Sequence, residues 1–366
     1  MIARQDISEL EPAELEAALG AEPYHARQIY RWIYRRHATE FSGMTDLSRT
    51  LRAQLAEQFK ISTPVVRQTD RSVDGTVKLL LGLTDDQQVE SVFIPDTPGP
   101  AFCISTQAGC AMRCGFCLTG KMGLNRNLTA GEIAGQVRVL AHTLDLTDRR
   151  FNIVLMGMGE PLHNYDQTMQ ALRILTSSFG LAVPPRRITL STIGVLPALE
   201  RLATEPVMPN LAVSLHATTD ELRDRLVPIN RRYGLVDLIA ACRRLPTKRR
   251  RRITFEYVLL RGVNDSMADA ERLTTLLAGM RTKVNLIPLN EAAGLVYRRP
   301  SDAQVDRFAR ALAERGVTVS VRKSRGRDIR AACGQLTVEA SQLSSAQRMA
   351  DAPGAPGNLL RNIESD

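Results

Sequence analysis

Apolar and polar positions follow two different periods along this chain, and the change of period divides it. From about 98 to 322, short apolar runs at 101–106, 151–156, 187–192, 211–216, 253–260 and 284–289 are separated by segments with helical periodicity. A parallel crossover needs a helix-length connection, so six such strand-then-helix units predict a parallel α/β sheet. Capping boxes mark helix starts at Thr129 with Glu132 and at Ser301 with Gln304. In the first of these helices Ile133, Val137, Leu140 and Leu144 fall on one face, a single buried stripe.

The flanks read differently. Residues 1–62 predict a helical accessory domain of two small helices, one through Tyr24–Arg36 and one with Leu47, Leu51, Leu55 and Phe59 four apart on one face. From 63 to 97 the chain reads as a strand-rich connector, with Asp74-Gly75 as a turn between β-prone runs that end at Val89–Ile94 before Pro95. The strand-and-helix unit as a whole spans 98–340. After it, 341–366 turns to Ser, Ala, Pro and Gly and reads as a disordered tail.

At 366 residues the chain exceeds a single core of roughly 250–300, in keeping with a main domain plus accessories. Forty-eight Lys and Arg against 39 Asp and Glu give a net charge of +9, which suits a polyanionic partner, nucleic acid before a membrane surface. No run of about 18 apolar residues and no signal-peptide pattern occurs, so a cytoplasmic protein is expected. In that reducing compartment the six cysteines read as metal ligands or redox thiols rather than structural disulfides. Cys103, Cys110, Cys114 and Cys117 crowd together, whereas Cys242 and Cys333 stand alone.

Ligand sites in α/β folds form at the carboxyl ends of parallel strands. Here the strand ends carry Cys110-x3-Cys114-x2-Cys117, then Gly157-Met158-Gly159-Glu160-Pro161, Ser191-Thr192, Ser214-Leu215-His216 and Pro288-Leu289-Asn290. That convergence favours a partial (βα)6 barrel over an open doubly wound sheet. Taken singly, a Ser or Asn after a strand is a turn or cap residue and His216 a structural histidine; the cysteine loop makes the set a site. Three thiolates leave one iron of an iron–sulfur cube without a protein ligand, open to a small molecule. Zinc is the other reading, with Cys103 as fourth ligand. Cys242 belongs to a core face with Leu235, Leu238 and Ile239.

The segment Cys110-Ala111-Met112-Arg113-Cys114-Gly115-Phe116-Cys117, followed by Gly-Glu-Pro after the next strand, resembles the radical S-adenosylmethionine superfamily. The resemblance implies a partial (βα)6 barrel with a [4Fe-4S] cluster on Cys110, Cys114 and Cys117. The cluster's open iron would chelate S-adenosylmethionine. A narrower resemblance runs from Val89 to Leu336, carried by Phe102–Cys110, Gly123–Leu128, Gly157–Leu162 and Ile329–Leu336. These segments are similar to the dual-specificity RNA adenine-C2 methyltransferases, which act on 23S rRNA at the peptidyl-transferase centre and on tRNA next to the anticodon. Carbon 2 of adenine is electron-poor, which makes a radical route necessary.

What that resemblance implies is specific. Cys333 is methylated by one S-adenosylmethionine, and a second generates the radical, so two are used per turnover. Cys103 resolves the covalent intermediate by forming a disulfide bond with Cys333, and Glu90 is the proton acceptor. Gly159, Glu160, Ser191, Ser214, Leu215, His216 and Asn290 contact S-adenosylmethionine. An external one-electron reductant, such as a flavodoxin-like protein, and a monomeric enzyme are expected.

Two basic stretches offer phosphate contacts: Arg243–Arg252, with seven cationic residues in ten, and Arg322, Lys323, Arg325, Arg327 and Arg330 just before Cys333. Arg27, Arg31, Arg35 and Arg36 among the N-terminal aromatics are a third candidate RNA surface. Two rivals stay open: a carbon-8 adenine methyltransferase of the same superfamily, and a zinc RNA-binding module without catalysis.

Overall fold

The computed structural model describes residues 4–20, 23–95, 99–246 and 252–338. The tail from 341 and most of the second half of the Arg243–Arg252 run therefore lie outside the described residues. One sheet of ten strands organises the molecule: β1 Val65–Arg71, β2 Val77–Gly82, β3 Gln88–Ile94, β4 Ala101–Cys103, β5 Asn152–Leu155, β6 Ile188–Thr192, β7 Asn210–Ser214, β8 Ile253–Leu259, β9 Thr282–Pro288 and β10 Val319–Val321. Spatial order follows chain order from one edge to the other.

β4 to β10 are parallel throughout, as helix-bearing crossovers require. The six apolar runs of the sequence are β4 to β9; a seventh parallel strand, β10, is added. Its three residues are too short, and too polar on either side, to stand out as a run. β1 to β3 are antiparallel, and β3 joins the barrel directly through Val92 opposite Cys103 and Phe93 opposite Phe102. The connector thus extends the same sheet rather than linking two bodies.

The helices between strands bury their predicted faces. Thr129 accepts from the Glu132 amide while the Glu132 carboxylate accepts from Thr129 N–H at 2.9 Å, a full capping box worth about 1 kcal/mol. Ile133, Val137 and Leu140 of that helix, Ala130–Thr143, are buried, and Leu144 is partly so. The Ser301 box closes only halfway. Ser301 Oγ caps the Gln304 amide at 3.2 Å, but the Gln304 side chain turns instead to the Asp265 carbonyl. Cys242 is buried with Leu235, Leu238 and Ile239, as the helical spacing predicts.

The N-terminal region holds three helices where two were predicted: Pro12–Leu19, Pro23–Tyr30 continuing as a wider turn through Arg35, and Arg49–Gln58. Its arginines are largely used internally. Arg27 lies over the Phe179 ring, Arg36 over Trp32, and Arg35 Nε donates to the Gly180 carbonyl at 2.8 Å, docking the helices on the barrel.

Candidate active site

The cysteine loop is shaped by backbone hydrogen bonds. Gln107–Gly109 pairs antiparallel with Leu124–Asn127, and Cys110 N–H donates to the Gly123 carbonyl at 2.7 Å. Cys117 N–H then donates to Cys114 O at 3.1 Å, and Gly115 N–H to the Leu226 carbonyl at 3.0 Å. All three thiols face one open cleft of about 910 Å³. Burial raises each thiol pKa, Cys110 to about 12, and Cys117 and Cys110 raise Cys114 further because their charges repel. Three thiols that are costly to ionise together form a donor set that a multiply charged iron centre would stabilise.

Zinc fits these residues less well. Among the described residues no three ligating side chains gather closely enough for one ion, which at a Zn–S distance of about 2.3 Å they would have to do. Cys103, the fourth ligand on that reading, faces a different cleft. A cluster held by Cys110, Cys114 and Cys117 alone would not need Cys103 as a ligand.

Most of the other candidate residues line the same cleft: Gly159, Glu160, Ser191, Ser214, His216 and Asn290. Gly159 has φ +101°, and a Cβ there would stand 2.6 Å from Gln107 Cβ, so only glycine lets this loop close. Glu160 Oε1 accepts from Leu162 N–H at 3.0 Å and Thr192 O–H at 2.7 Å, and Oε2 from Ile193 N–H at 2.8 Å. The carboxylate therefore staples the ends of β5 and β6 together. Burial outweighs these bonds and lifts its pKa to about 7.

His216 sits at φ +61° with Nδ1 accepting from Val258 N–H at 3.1 Å. Burial, helped by Arg223, lowers its pKa to about 3, so it stays neutral and can offer an Nε2–H to the cleft. Asn290 Nδ2 donates to the Cys333 carbonyl at 3.1 Å, while its buried Oδ1 has no hydrogen-bond partner. An orphaned acceptor in a ligand cleft awaits a donor such as an ammonium group. Leu215 is placed elsewhere: its side chain is in the core, and its carbonyl accepts from Arg223 Nε at 3.1 Å.

A second cleft of about 870 Å³ adjoins the first, lined by Cys103, Arg322, Lys323, Arg325 and Cys333 among others. Cys333 and Arg322 belong to both. All six cysteines are free thiols. Burial, then the neighbouring Cys333, pushes Cys103 up to about 12, with Arg322 pulling it down. Cys333 is in turn the main cause of a raised Arg322 pKa, ahead of Glu256 and Cys103. Arg322 thus lines the second cleft together with both thiols. Of the basic set before Cys333, Lys323, Arg327 and Arg330 are the exposed members.

Glu90 is fully buried. Oε1 is 2.8 Å from Lys78 Nζ and Oε2 accepts from Thr337 N–H at 2.9 Å, and the walls of both clefts are built without it.

Two polar groups, one in the cleft and one behind it, escaped the sequence reading. Glu256 comes from β8, the one strand whose end had been given no candidate, and its Oε2 is buried without a partner. An isolated charge inside the apolar run Phe255–Leu259 was the available signal. Arg223, in the helix Asp220–Leu226, is buried and donates to the carbonyls of Ile193 at 2.7 Å and Leu215 at 3.1 Å and to Asn230 Oδ1 at 2.8 Å. It braces the ends of β6 and β7 from behind.

Comparison with known proteins converges on one group. A family model described as the radical SAM superfamily matches residues 104–273, and one described as the ribosomal RNA large subunit methyltransferase N-terminal domain matches residues 6–61. The chain is 52% identical over 334 residues to the dual-specificity RNA methyltransferase RlmN of Geobacter sulfurreducens, covering 90% of this chain and 91% of that protein. The protein of the same name from Pelobacter propionicus is 48% identical over 339 residues, 92% of this chain and 96% of its own. A crystal structure of a radical SAM methyltransferase from Sphaerobacter thermophilus superposes with a TM-score of 0.86 at 48% identity, covering 91% of this chain and 99% of that one.

Proposed function

This chain belongs to the dual-specificity RNA methyltransferases of the radical SAM superfamily, and from that premise we propose that it methylates carbon 2 of adenine in 23S rRNA and in tRNA. The observation that carries the reading is the position of Cys333, on the shared wall of two clefts. One holds Cys110, Cys114 and Cys117, and the other holds Cys103. When bound to those three cysteines, a [4Fe-4S] cluster supplies the electron that cleaves S-adenosylmethionine to a 5′-deoxyadenosyl radical.

The chain's own residues do the rest. Ser191, Ser214, Asn290 and the Gly159 loop orient S-adenosylmethionine, the Asn290 oxygen meeting its ammonium group. Cys333 accepts a methyl group from a first S-adenosylmethionine, and a second serves the radical step. Cys333 then carries the one-carbon unit to the base. Cys103 stays protonated in the resting protein because of its burial, and Arg322 is the cation that favours its thiolate when it attacks the Cys333 sulfur. That attack breaks the bond between the Cys333 sulfur and the one-carbon unit, whose carbon keeps the electron pair and takes a proton to become the methyl group on the base. The disulfide left on the protein needs an external reductant.

Glu90 takes the carbon-2 proton in this reading. Its oxygens are occupied by Lys78 and the Thr337 amide, so the segment bearing Thr337 must first draw away. Lys323, Arg327 and Arg330, exposed around the thiol, contact the phosphates, and the target base leaves its stack to reach Cys333. No helix among the described residues is long and apolar enough to cross a membrane. A cytoplasmic monomer served by a flavodoxin-like one-electron donor completes the proposal.

The direct test incubates anaerobically reconstituted protein with labelled S-adenosylmethionine, a reductant and 23S rRNA or tRNA, and locates the label by mass spectrometry. Label on carbon 2 of adenine is expected. Label on carbon 8 would establish the rival regiochemistry, and a colourless protein containing zinc and no iron would reject the enzyme altogether.

A further inference from the structure

The strands β1 to β3 add only Ile94 to the clefts, and Val73 at the tip of the turn between β1 and β2 is exposed, yet that turn is not free. It meets the segment that carries Cys333. Asp74 Oδ2 accepts from Gly326 N–H at 3.0 Å, while its Oδ1 accepts from Thr76 N–H at 3.0 Å and squares the turn. Asp328 reaches back: Oδ1 accepts from Ser72 O–H at 2.6 Å and Oδ2 from Val73 N–H at 3.3 Å. Each side lends the other one carboxylate.

The contact is close as well as polar. Gly326 has φ +61°, and a Cβ there would stand 2.8 Å from Ala331 Cβ and 2.9 Å from Thr76 Cγ2. From this anchor the segment folds on itself through Ala331 N–H to Gly326 O at 2.8 Å, which delivers Cys333 two residues later. Beyond the thiol, Leu118 N–H donates to Gly334 O at 2.9 Å and Thr119 O–H to Leu336 O at 2.7 Å. The helix that follows Cys117 therefore holds one side of the Cys333 segment, and the β1–β2 turn holds the other.

We propose that Asp74 and Asp328 form a reciprocal clasp that sets the position of Cys333, which makes both of them positioning residues for the methyl-carrying thiol. This rests on Cys333 being the methyl carrier. A thiol that must face two clefts in turn has little tolerance, since a displacement of about 1 Å at a reacting group costs on the order of 100-fold in rate.

The test uses the full-length, cluster-loaded protein and two readouts. The first is the rate at which iodoacetamide alkylates Cys333, followed by peptide mass spectrometry without RNA or S-adenosylmethionine. Asp74→Ala and Asp328→Ala are each expected to speed it about five-fold or more, the effect of losing two hydrogen bonds on local opening. Asp74→Asn keeps one acceptor oxygen but turns an NH2 group toward one of the two amide donors, so it should speed alkylation by less than Asp74→Ala does. The second readout is 5′-deoxyadenosine formed per methyl delivered to RNA, expected to rise about ten-fold in the alanine variants as the radical and the thiol fall out of alignment.

Unchanged alkylation in alanine variants that fold and hold iron like the parent overturns the clasp. If an alanine variant does not fold, Ser72→Ala removes a single donor; alkylation there must still accelerate, and no acceleration overturns the proposal too. Faster alkylation in the variants, with a parent protein that never methylates RNA, would leave the clasp standing and remove the functional reading instead.

Discussion

The Cys110–Cys117 loop and the Gly326–Thr337 segment bring sulfur to the same wall and are built in opposite ways. The first is a local object. Its shape comes mostly from the Cys117-to-Cys114 bond and from one short hairpin whose two strands flank it, so a stretch of about twenty residues carries most of the information, with the Gly115-to-Leu226 bond as a distant tie. The second is held by partners distant in sequence: Ser72 with Asp328 across 256 positions, Glu90 with Thr337 across 247, Thr119 with Leu336 across 217. A ligand set for an inorganic centre can be specified locally, because the centre itself completes the geometry. A thiol that must serve two clefts has to be placed by the finished fold.

The sharpest way to separate the two is to remove one sulfur from each. Cys114→Ala should abolish iron retention and with it every activity, while the rate of Cys333 alkylation stays near that of the parent without its cluster; iron analysis and peptide mass spectrometry check both halves. Iron held at the parent level would show that the loop is not the cluster site.

Cys333→Ala should invert that outcome. Iron content and cleavage of S-adenosylmethionine persist while methyl transfer to RNA disappears, measured as 5′-deoxyadenosine against labelled RNA. Cys103→Ala lies between the two, with transfer to RNA but no release. A covalent protein–RNA species should accumulate on a denaturing gel, and free methylated RNA at the parent yield would reject the resolving role.

Smaller effects probe how rigid each region is. Arg223→Met leaves the carbonyls of Ile193 and Leu215 without their buried donor, behind the cluster loop, and should cost about 3 kcal/mol by urea denaturation. A cost under about 0.5 kcal/mol would mean that the strand ends hold without the brace.

The smallest effect is one of pH. Burial opposes ionisation of Asp74, but hydrogen bonds from Thr76, Gly326 and Ser72 outweigh it and hold the carboxyl well below the usual carboxylate range. A depressed acid contributes stability that is full above its unfolded pKa of about 3.9 and is lost as pH falls through the folded value. Amide hydrogen exchange at 326–331 should therefore quicken, relative to the rest of the sheet, below about pH 4 in the parent. In Asp74→Asn the relative rate should not change with pH; identical pH profiles would contradict the assignment.

The same contrast explains what the sequence reading could and could not see. The six barrel strands, the capping box at Thr129 and the cysteine loop are signalled within a few residues of themselves. The convergence of Ser191, Ser214 and Asn290 followed from a rule about strand ends, and Glu256 was missed because it lies inside its strand rather than after it. β10 was too short to show a period, so Arg322 was read with its basic neighbours as a phosphate contact, whereas the fold makes it part of the wall of both clefts. Asp74-Gly75 was legible as a turn and no more, because its partners lie 252 and more positions away.

Because each strand of the sheet lies beside its predecessor in the chain, the sheet can lengthen one strand at a time as the polypeptide leaves the ribosome. The tie between residues near 74 and near 326 is different: it closes a loop spanning most of the protein and must be among the last contacts made. A chain released early would already hold Cys110, Cys114 and Cys117 yet have no Cys333 placed against their cleft. The order of synthesis thus delays assembly of the reactive pair until the polypeptide is nearly complete.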